Sequence, residues 1–403
     1  MRPLSSVRSV SARFLAAGTL FASLAFSLVI PAHSAGWQDP LSTPALATQL
    51  AHESLLLDVA FAGDRLVAVG ERGHIILSDD QGFNWSQAKQ VPVISTLTAV
   101  YFADNNHGWA VGHDGVVLHT QDAGLTWVKQ FDGFKANEMV LQQAKQSKAN
   151  YEKELNKAKI MGGARRLAKA EEDLENATYA LEDAQIDFED KSTKPLLDLW
   201  FKSPNEGFVI GAYGMIFKTL DGGQTWKDWS ANVENPDRFH LNSIVHVDTG
   251  RLMIVGEAGL MLRSLDDGAN WKKTFSPYAG SFFGISSLSK QGVQIAYGLR
   301  GNIARTDNFG SSWRLVDSGT QQSLMGATDR YGRILYVVGN GGAFVKGIDM
   351  GRKWEASVRE GRSGATGIIQ TTAGHFVIVG ESGVELLDKT GKRLPEPVKS
   401  IKG

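Results

Sequence analysis

The residues best suited to chemistry are scattered along the chain, and their types suggest what they could do. Glu71 with Glu381, and Asp114 with Glu257, are carboxylate pairs of the kind that shares general-acid and general-base work in glycosidic hydrolysis. Arg72, Arg238, Arg300, Arg359 and Arg362, with Tyr213 and His113, are side chains that grip anionic or aromatic groups, and arginine and tyrosine are enriched at protein interfaces. The 9 histidines, among them His74, His113 and His119, show no H-x-x-x-H or comparable metal spacing. Cysteine is absent, which removes thiol nucleophiles, disulfides, thiolate metal sites and cysteine-linked lipid. No metal site and no cofactor is expected.

Most of these residues fall at or beside one recurring element. A G-x-x-G turn occurs at Gly70/Gly73, Gly112/Gly115, Gly211/Gly214, Gly256/Gly259, Gly298/Gly301, Gly339/Gly342 and Gly380/Gly383. A second turn follows at fixed spacing: SDDQGFNW from Ser78, TQDAGLTW from Thr120, TLDGGQTW from Thr219, SLDDGANW from Ser264, TDNFGSSW from Thr306 and GIDMGRKW from Gly347. The seventh copy keeps only Asp388 and Gly391. Asp80, Asp122, Asp221, Asp266, Asn308 and Asp349 would accept backbone amides while the glycine supplies positive φ. Trp85, Trp127, Trp226, Trp271, Trp313 and Trp354 would pack between neighbouring repeats. These positions read as scaffold.

Each unit of about 42 residues carries four short apolar runs, the length and strand count of a propeller blade. LTAVYF, HGWAVG, VVLHT and TWVKQ illustrate the second unit. The expected fold is all-β: a seven-bladed β-propeller with an inserted antiparallel α-helical coiled-coil hairpin between blades two and three. Blade geometry places the Asp-containing turns at one face and the G-x-x-G turns at the other, together with the interblade connections. The seventh unit has a weak fourth strand in RLPEPV, where Pro395 and Pro397 restrict ladder bonds. The N-terminal segment 37–57 is a candidate to complete it.

The second turn resembles the bacterial-neuraminidase repeat, or Asp-box. Its combination with G-x-x-G more closely resembles the photosystem II stability/assembly factor-like family, which also occurs in non-photosynthetic bacteria. The resemblance implies a non-enzymatic scaffold that assists a membrane complex on its extracytoplasmic side, with an arginine-rich surface that Arg72, Arg238, Arg300 and Arg359 would supply. Asp-box propellers also include sialidases, so glycan binding or sialidase-like hydrolysis stays open as the alternative. Their arginine motif near the mature N-terminus is missing here.

The enlarged interval between Gly112 and Gly211 changes period. Leu167, Ala170, Leu174, Ala177, Leu181, Ala184 and Phe188 step by threes and fours, as do Leu141, Ala144, Lys148, Tyr151, Leu155 and Ala158. Met161, Gly162 and Gly163, with Arg165 and Arg166, mark the tip of the hairpin. An arm of this length suits a partner contact, and an inner-membrane exporter of the resistance-nodulation-division (RND) type is one client it suggests by analogy.

Arg2, Arg8 and Arg13 precede an apolar run at 14–30 and the small residues Ala32 and Ser34. This predicts a secretory signal over 1–34 cleaved near Ser34 and a periplasmic protein, the other reading being a retained anchor. The remaining divisions are 35–54 as an N-terminal segment, 55–134 as blades one and two, 135–194 as the hairpin and 195–403 as blades three to seven. Lys and Arg total 42 against 43 acidic residues, so a nucleic-acid partner, which needs a basic excess, is excluded. A membrane-protein complex is the expected partner, with a small ligand or glycan still open.

Overall fold

Short runs of β-branched and aromatic residues, cut at fixed intervals by glycine, fold here as antiparallel strands. The computed structural model describes residues 38–288, 292–329 and 334–395. The expected leader with its cleavage point near Ser34, and the end of the RLPEPV run, lie outside the described residues. Among the described residues there are seven sheets, six of four strands and one of three, called sheets one to seven in chain order. Their first strands are Leu56–Ala62, Leu97–Phe102, Leu196–Phe201, Leu241–Asp248, Phe282–Leu288, Leu324–Thr328 and Ala365–Gln370. Each first strand touches the next, and the last returns to the first.

The core is distributed between sheets. Second strands such as Gly108–Gly112 and Phe376–Gly380 are buried at every residue, since a sheet packs on each of their faces. The Asp-box tryptophans fill the gaps. Trp127 lies with Val67 and Leu77 of sheet one and Leu118 of sheet two, and Trp226, Trp271 and Trp313 stand in the next three clusters. Trp354 and Trp85 pack against later ones.

Polar side chains lace the first strands together. Asp58 accepts the amide of Val100 at 2.9 Å, tying sheet one to two, and Asp198 accepts that of Ile244 at 2.9 Å, tying three to four. Thr98 donates to Leu196 O, Asn242 to Phe282 O and Thr366 to Leu56 O, each at 2.8 Å. The last of these closes the ring. The segment expected to complete the seventh unit adds no strand to it among the described residues: Ala45 donates to Val91 O and Ile94 to Pro40 O, so its first part runs beside the connection between sheets one and two, while Ala51–Glu53 packs against Gly383–Leu387 of sheet seven. Among the described residues, the fourth position of sheet seven holds a bridge from Leu387 to Arg393 and a bond from Leu394 N to Leu386 O at 2.8 Å, and Pro395, which has no amide proton, cuts the ladder there. Sheet seven therefore meets sheet one through packing of Leu56, Val59 and Val379 and the Thr366 bond.

Two helices, α1 (Gly133–Met161) and α2 (Ala164–Glu189), leave between strands Val128–Phe131 and Leu196–Phe201 and pack on each other. Asp132 caps α1 by accepting the amide of Lys135 at 3.2 Å. Ala158, Ala177 and Ala184 are buried along the seam, where small side chains let the backbones approach. Tyr151 and Phe188, expected in that seam, are instead exposed. At the foot, Ala136 joins the core of sheets two and three. Buried Asn137 straps the foot by donating to Asp187 O at 3.0 Å and Ser192 O at 3.1 Å.

Candidate protein-binding face

The first six G-x-x-G turns share one backbone geometry. Two successive residues are left-handed, as at Arg72 (φ 54°) and Gly73 (φ 69°), and His74 N closes the turn on Glu71 O at 2.9 Å. This is a type I′ turn, whose twist suits a hairpin. The second glycine is required by a close approach: at Gly259 and Gly301 a Cβ would stand 2.1 Å from the carbonyl oxygens of Tyr278 and Thr320. The residue before it, held at positive φ, is Arg72, Asp114, Tyr213, Ala258, Arg300 or Gly341. Four of the six are thus large or charged residues in a conformation that favours glycine.

Arg72, His113, Tyr213, Arg300, Arg362 and Glu381 are exposed, and Asp114, Arg238 and Glu257 half-buried. The carboxylates do not form free pairs. Glu71, Glu257 and Glu381 each accept the amide of the residue that opens their own sheet, from Leu55 at 3.2 Å, His240 at 3.2 Å and Gly364 at 2.9 Å. Asp114 accepts the hydroxyls of Ser95 at 2.8 Å and Thr193 at 3.2 Å. All four are thus engaged as fasteners between neighbouring segments. Arg359 also departs from its expected place. It is buried, paired with Glu385 and donating to Ser363 O at 2.7 Å, because its side chain turns inward against sheet seven.

Of these residues, Tyr213, Arg238 and Glu257 come together at the foot of the arm. Tyr213 sets its ring 5.0 Å from that of His240, tilted by 41°, while Lys194 Nζ sits 4.7 Å above the Tyr213 centroid. His240 Nδ1 meets Glu257 at 2.6 Å. The His240 amide, helped by its ring, holds the Glu257 carboxyl below its usual range against the effect of burial. Arg238 reaches across to Asp183 of α2 at 3.2 Å, and Lys194 pairs with Asp187 at 2.6 Å. Beside them, a groove of about 740 Å³ runs between Met139, Leu141 and Phe188 of the arm and Trp226. The arrangement offers aromatic, cationic and anionic groups within a few side chains of one another. Sequence reasoning missed Lys194, Asp183 and Asn137, because nothing local distinguishes them from other polar residues near a helix end.

At the opposite end the first four Asp-boxes behave alike. Asp122 accepts from Thr126 N at 2.9 Å, Thr126 Oγ1 at 2.6 Å and Thr120 Oγ1 at 2.8 Å, and Trp127 Nε1 donates to Gly124 O at 2.9 Å. Asn308 keeps the geometry with one bond reversed, its amide donating to Ser312 at 2.9 Å. Asp349 loses the role: Gly347 brings no hydroxyl, and Asp349 pairs with Arg352. At Asp80, Asp122 and Asp266 burial works upward on the carboxyl but is outweighed by bonds from Asn84, Thr126 and Asn270, so each titrates below its usual range. The first strands enclose a central cavity of about 360 Å³ lined by Asp58, Asp198 and Tyr297. There burial dominates, raising Asp58 to about 7 and Asp198 to about 6. His119, stacked 4.7 Å from Trp109, is pushed down to about 4 by burial and by His107.

The sequence pattern of the family described as photosynthesis system II assembly factor YCF48 matches residues 38–143 and 176–337, well over half of the chain. The chain belongs to the YCF48 family. The resemblance carried by the G-x-x-G and Asp-box turns is thereby borne out. The match lapses over 144–175, the outer part of the arm. Among curated relatives, the photosystem II assembly lipoproteins Ycf48 of two Prochlorococcus marinus strains are 40% and 42% identical over 48 residues. That stretch is 12% of this chain and 14% of each relative. They are named lipoproteins, whereas this chain has no cysteine. A solved YCF48 bound to a D1 peptide is 17% identical with a TM-score of 0.58, covering 86% of this chain and 99% of that one. YCF48 from Cyanidioschyzon merolae gives 15% and 0.56, covering 84% and 96%. The WD40 β-propeller domain of Doa1 gives 9% and 0.55, covering 87% and 96%. At these identities the solved structures establish the propeller fold alone. No described helix is long and apolar enough to cross a membrane.

Proposed function

We propose that the protein is a non-enzymatic, exported accessory factor that binds a segment of a membrane-protein complex at the G-x-x-G end of a seven-bladed propeller, beside an arm inserted between blades two and three. The observation that carries this reading is the Lys194–Tyr213–His240–Glu257 cluster at the foot of the arm. The left-handed backbone at the position of Tyr213 asks for no side chain, yet a half-exposed aromatic occupies it between a cation and a histidine. Such groups recognise peptide side chains through stacking and charge. Arg72, Arg300 and Arg362 extend the same face, and a relative of this fold is described as bound to a D1 peptide. The engaged carboxylates speak against the glycosidase reading, and neither a hydrolase nor an RND-type exporter figures among the relatives reported above. A periplasmic location with cleavage near Ser34 completes the proposal.

Site-specific photo-crosslinking in the native cell tests it, with the probe at Tyr213 and, separately, at Arg165. A dominant membrane-protein adduct from Tyr213 supports the accessory role and names the client. Absence of any protein adduct from that face, with the chain expressed and folded, overturns it and favours a small ligand or glycan.

A further inference from the structure

The apex of the arm is built unlike the rest of it. Ile160 and Met161 are 86% and 68% exposed, and around Gly162 and Gly163 there is open space. Within 153–169 stand Lys153, Lys157, Lys159, Arg165, Arg166 and Lys169 against one carboxylate, Glu154. Lys157 pairs with Glu154 and Lys169 with Asp173, while Lys159, Arg165 and Arg166 form no ion pair among the described residues. Towards the foot, α2 turns acidic, with Glu171, Glu172, Asp173, Glu175, Glu182 and Asp183. A solvated spacer gains nothing from segregating charge in this way, and the pairing of α1 with α2 leaves the two apical hydrophobes out of its seam.

We propose that this apex is a peripheral membrane anchor. Ile160 and Met161 enter the interfacial zone of a bilayer, and Lys159, Arg165 and Arg166 meet anionic phospholipid headgroups. The chemistry fits a lipid surface better than an acidic protein. A stable protein interface covers roughly 800 Å² on each partner, whereas this apex offers two exposed apolar side chains beside a glycine turn with open space around it. A bilayer accepts such a tip, because the headgroup region admits apolar side chains to a few ångströms while its charge attracts flanking cations. The arm is long enough to separate this contact from the propeller, since the 29 residues of α1 span roughly 43 Å at the helical rise. The inference needs no client protein, so it stands or falls independently of the proposed function.

The test is co-sedimentation of the chain from Ala35, which retains the whole compact unit 39–403 and lacks the apolar leader, with vesicles of phosphatidylethanolamine and phosphatidylglycerol or of phosphatidylcholine alone. The expected result is binding to the anionic vesicles only, weakened by salt. R165E/R166E should lower partitioning ~10-fold or more, given the contribution of each cation near an anionic surface. I160S/M161S should lower it as well, with helix content unchanged by circular dichroism. Equal binding to both vesicle types, or binding retained by both double variants, overturns the proposal. So does an Arg165 crosslink to an acidic protein when the vesicles are not bound.

Discussion

The two ends of the sheets are made by the same strands and answer to different demands. At the Asp-box end, an aspartate, a glycine and a tryptophan recur because the turn needs a carboxylate to gather its amides and the gap between sheets needs a large ring. At the G-x-x-G end only the glycines recur, and arginine, tyrosine, aspartate and alanine stand between them. Repetition marks where the backbone depends on a side chain. Variation marks positions released for another use, so the proposed recognition surface is read by subtracting the scaffold. The subtraction has an exception, since Glu71, Glu257 and Glu381 vary with neighbouring repeats yet fasten their own sheets.

The contrast can be broken most decisively at a tryptophan. Trp127→Ala removes a fully buried ring between sheets one and two and should cost about 3–5 kcal/mol in urea unfolding, while Tyr213→Ala should stay within about 0.5 kcal/mol. Comparable losses would erase the distinction between the two ends.

A pH series tests the carboxylates. Asp58 and Asp198 hold protons in the folded state that the unfolded chain releases near its ordinary 3.8. Their contribution is therefore complete below that value and is lost as pH rises through about 6 and about 7, a decline on the order of a few kcal/mol. The box aspartates work in the opposite sense: depressed in the fold, they add stability above the ordinary value and lose it as pH falls through their folded one. Asp58→Asn and Asp198→Asn should flatten the neutral limb of the stability profile and leave the acid limb in place.

Asp122→Ala should follow, at about 1–3 kcal/mol, since the amide and hydroxyls it gathers lose their acceptor. The smallest effect has the other sign. Arg300→Gly relieves a left-handed arginine and should stabilise by about 0.5 kcal/mol, the strain relieved exceeding the entropy glycine adds to the unfolded chain. The same variant should bind the client more weakly in pull-down. Stabilisation with unchanged binding would return Arg300 to the scaffold.

Much of this was legible in the sequence, for reasons of range. The turns and the helical period are local, so Gly70/Gly73, TQDAGLTW and the step from Leu167 to Ala184 show themselves within a few residues. The lacing aspartates were not legible: in LLLDVAF and LLDLWF a single Asp interrupts an apolar run, and its partner amide belongs to the next sheet, at Val100 or Ile244. Arg359 was misplaced for the same reason, since Glu385, which draws it inward, lies in a different sheet from the strand that Arg359 follows. The cluster around Tyr213 joins residues from the end of the arm, a turn and the next connection, and only the packing of sheet four against sheet three brings them together.

The feet of the arm stand side by side. A Cβ on Gly133 would strike Thr193, and Gly115 lies against Gly133 itself, so the chain leaves and re-enters the ring at one turn of one sheet. Mechanically the arm is a stalk on a single footing, and its outer part, 144–175, is where the family pattern lapses. Because both ends of the arm pass through that one footing, a change of length beyond it alters the reach of the stalk and leaves the path of the ring's strands as it is.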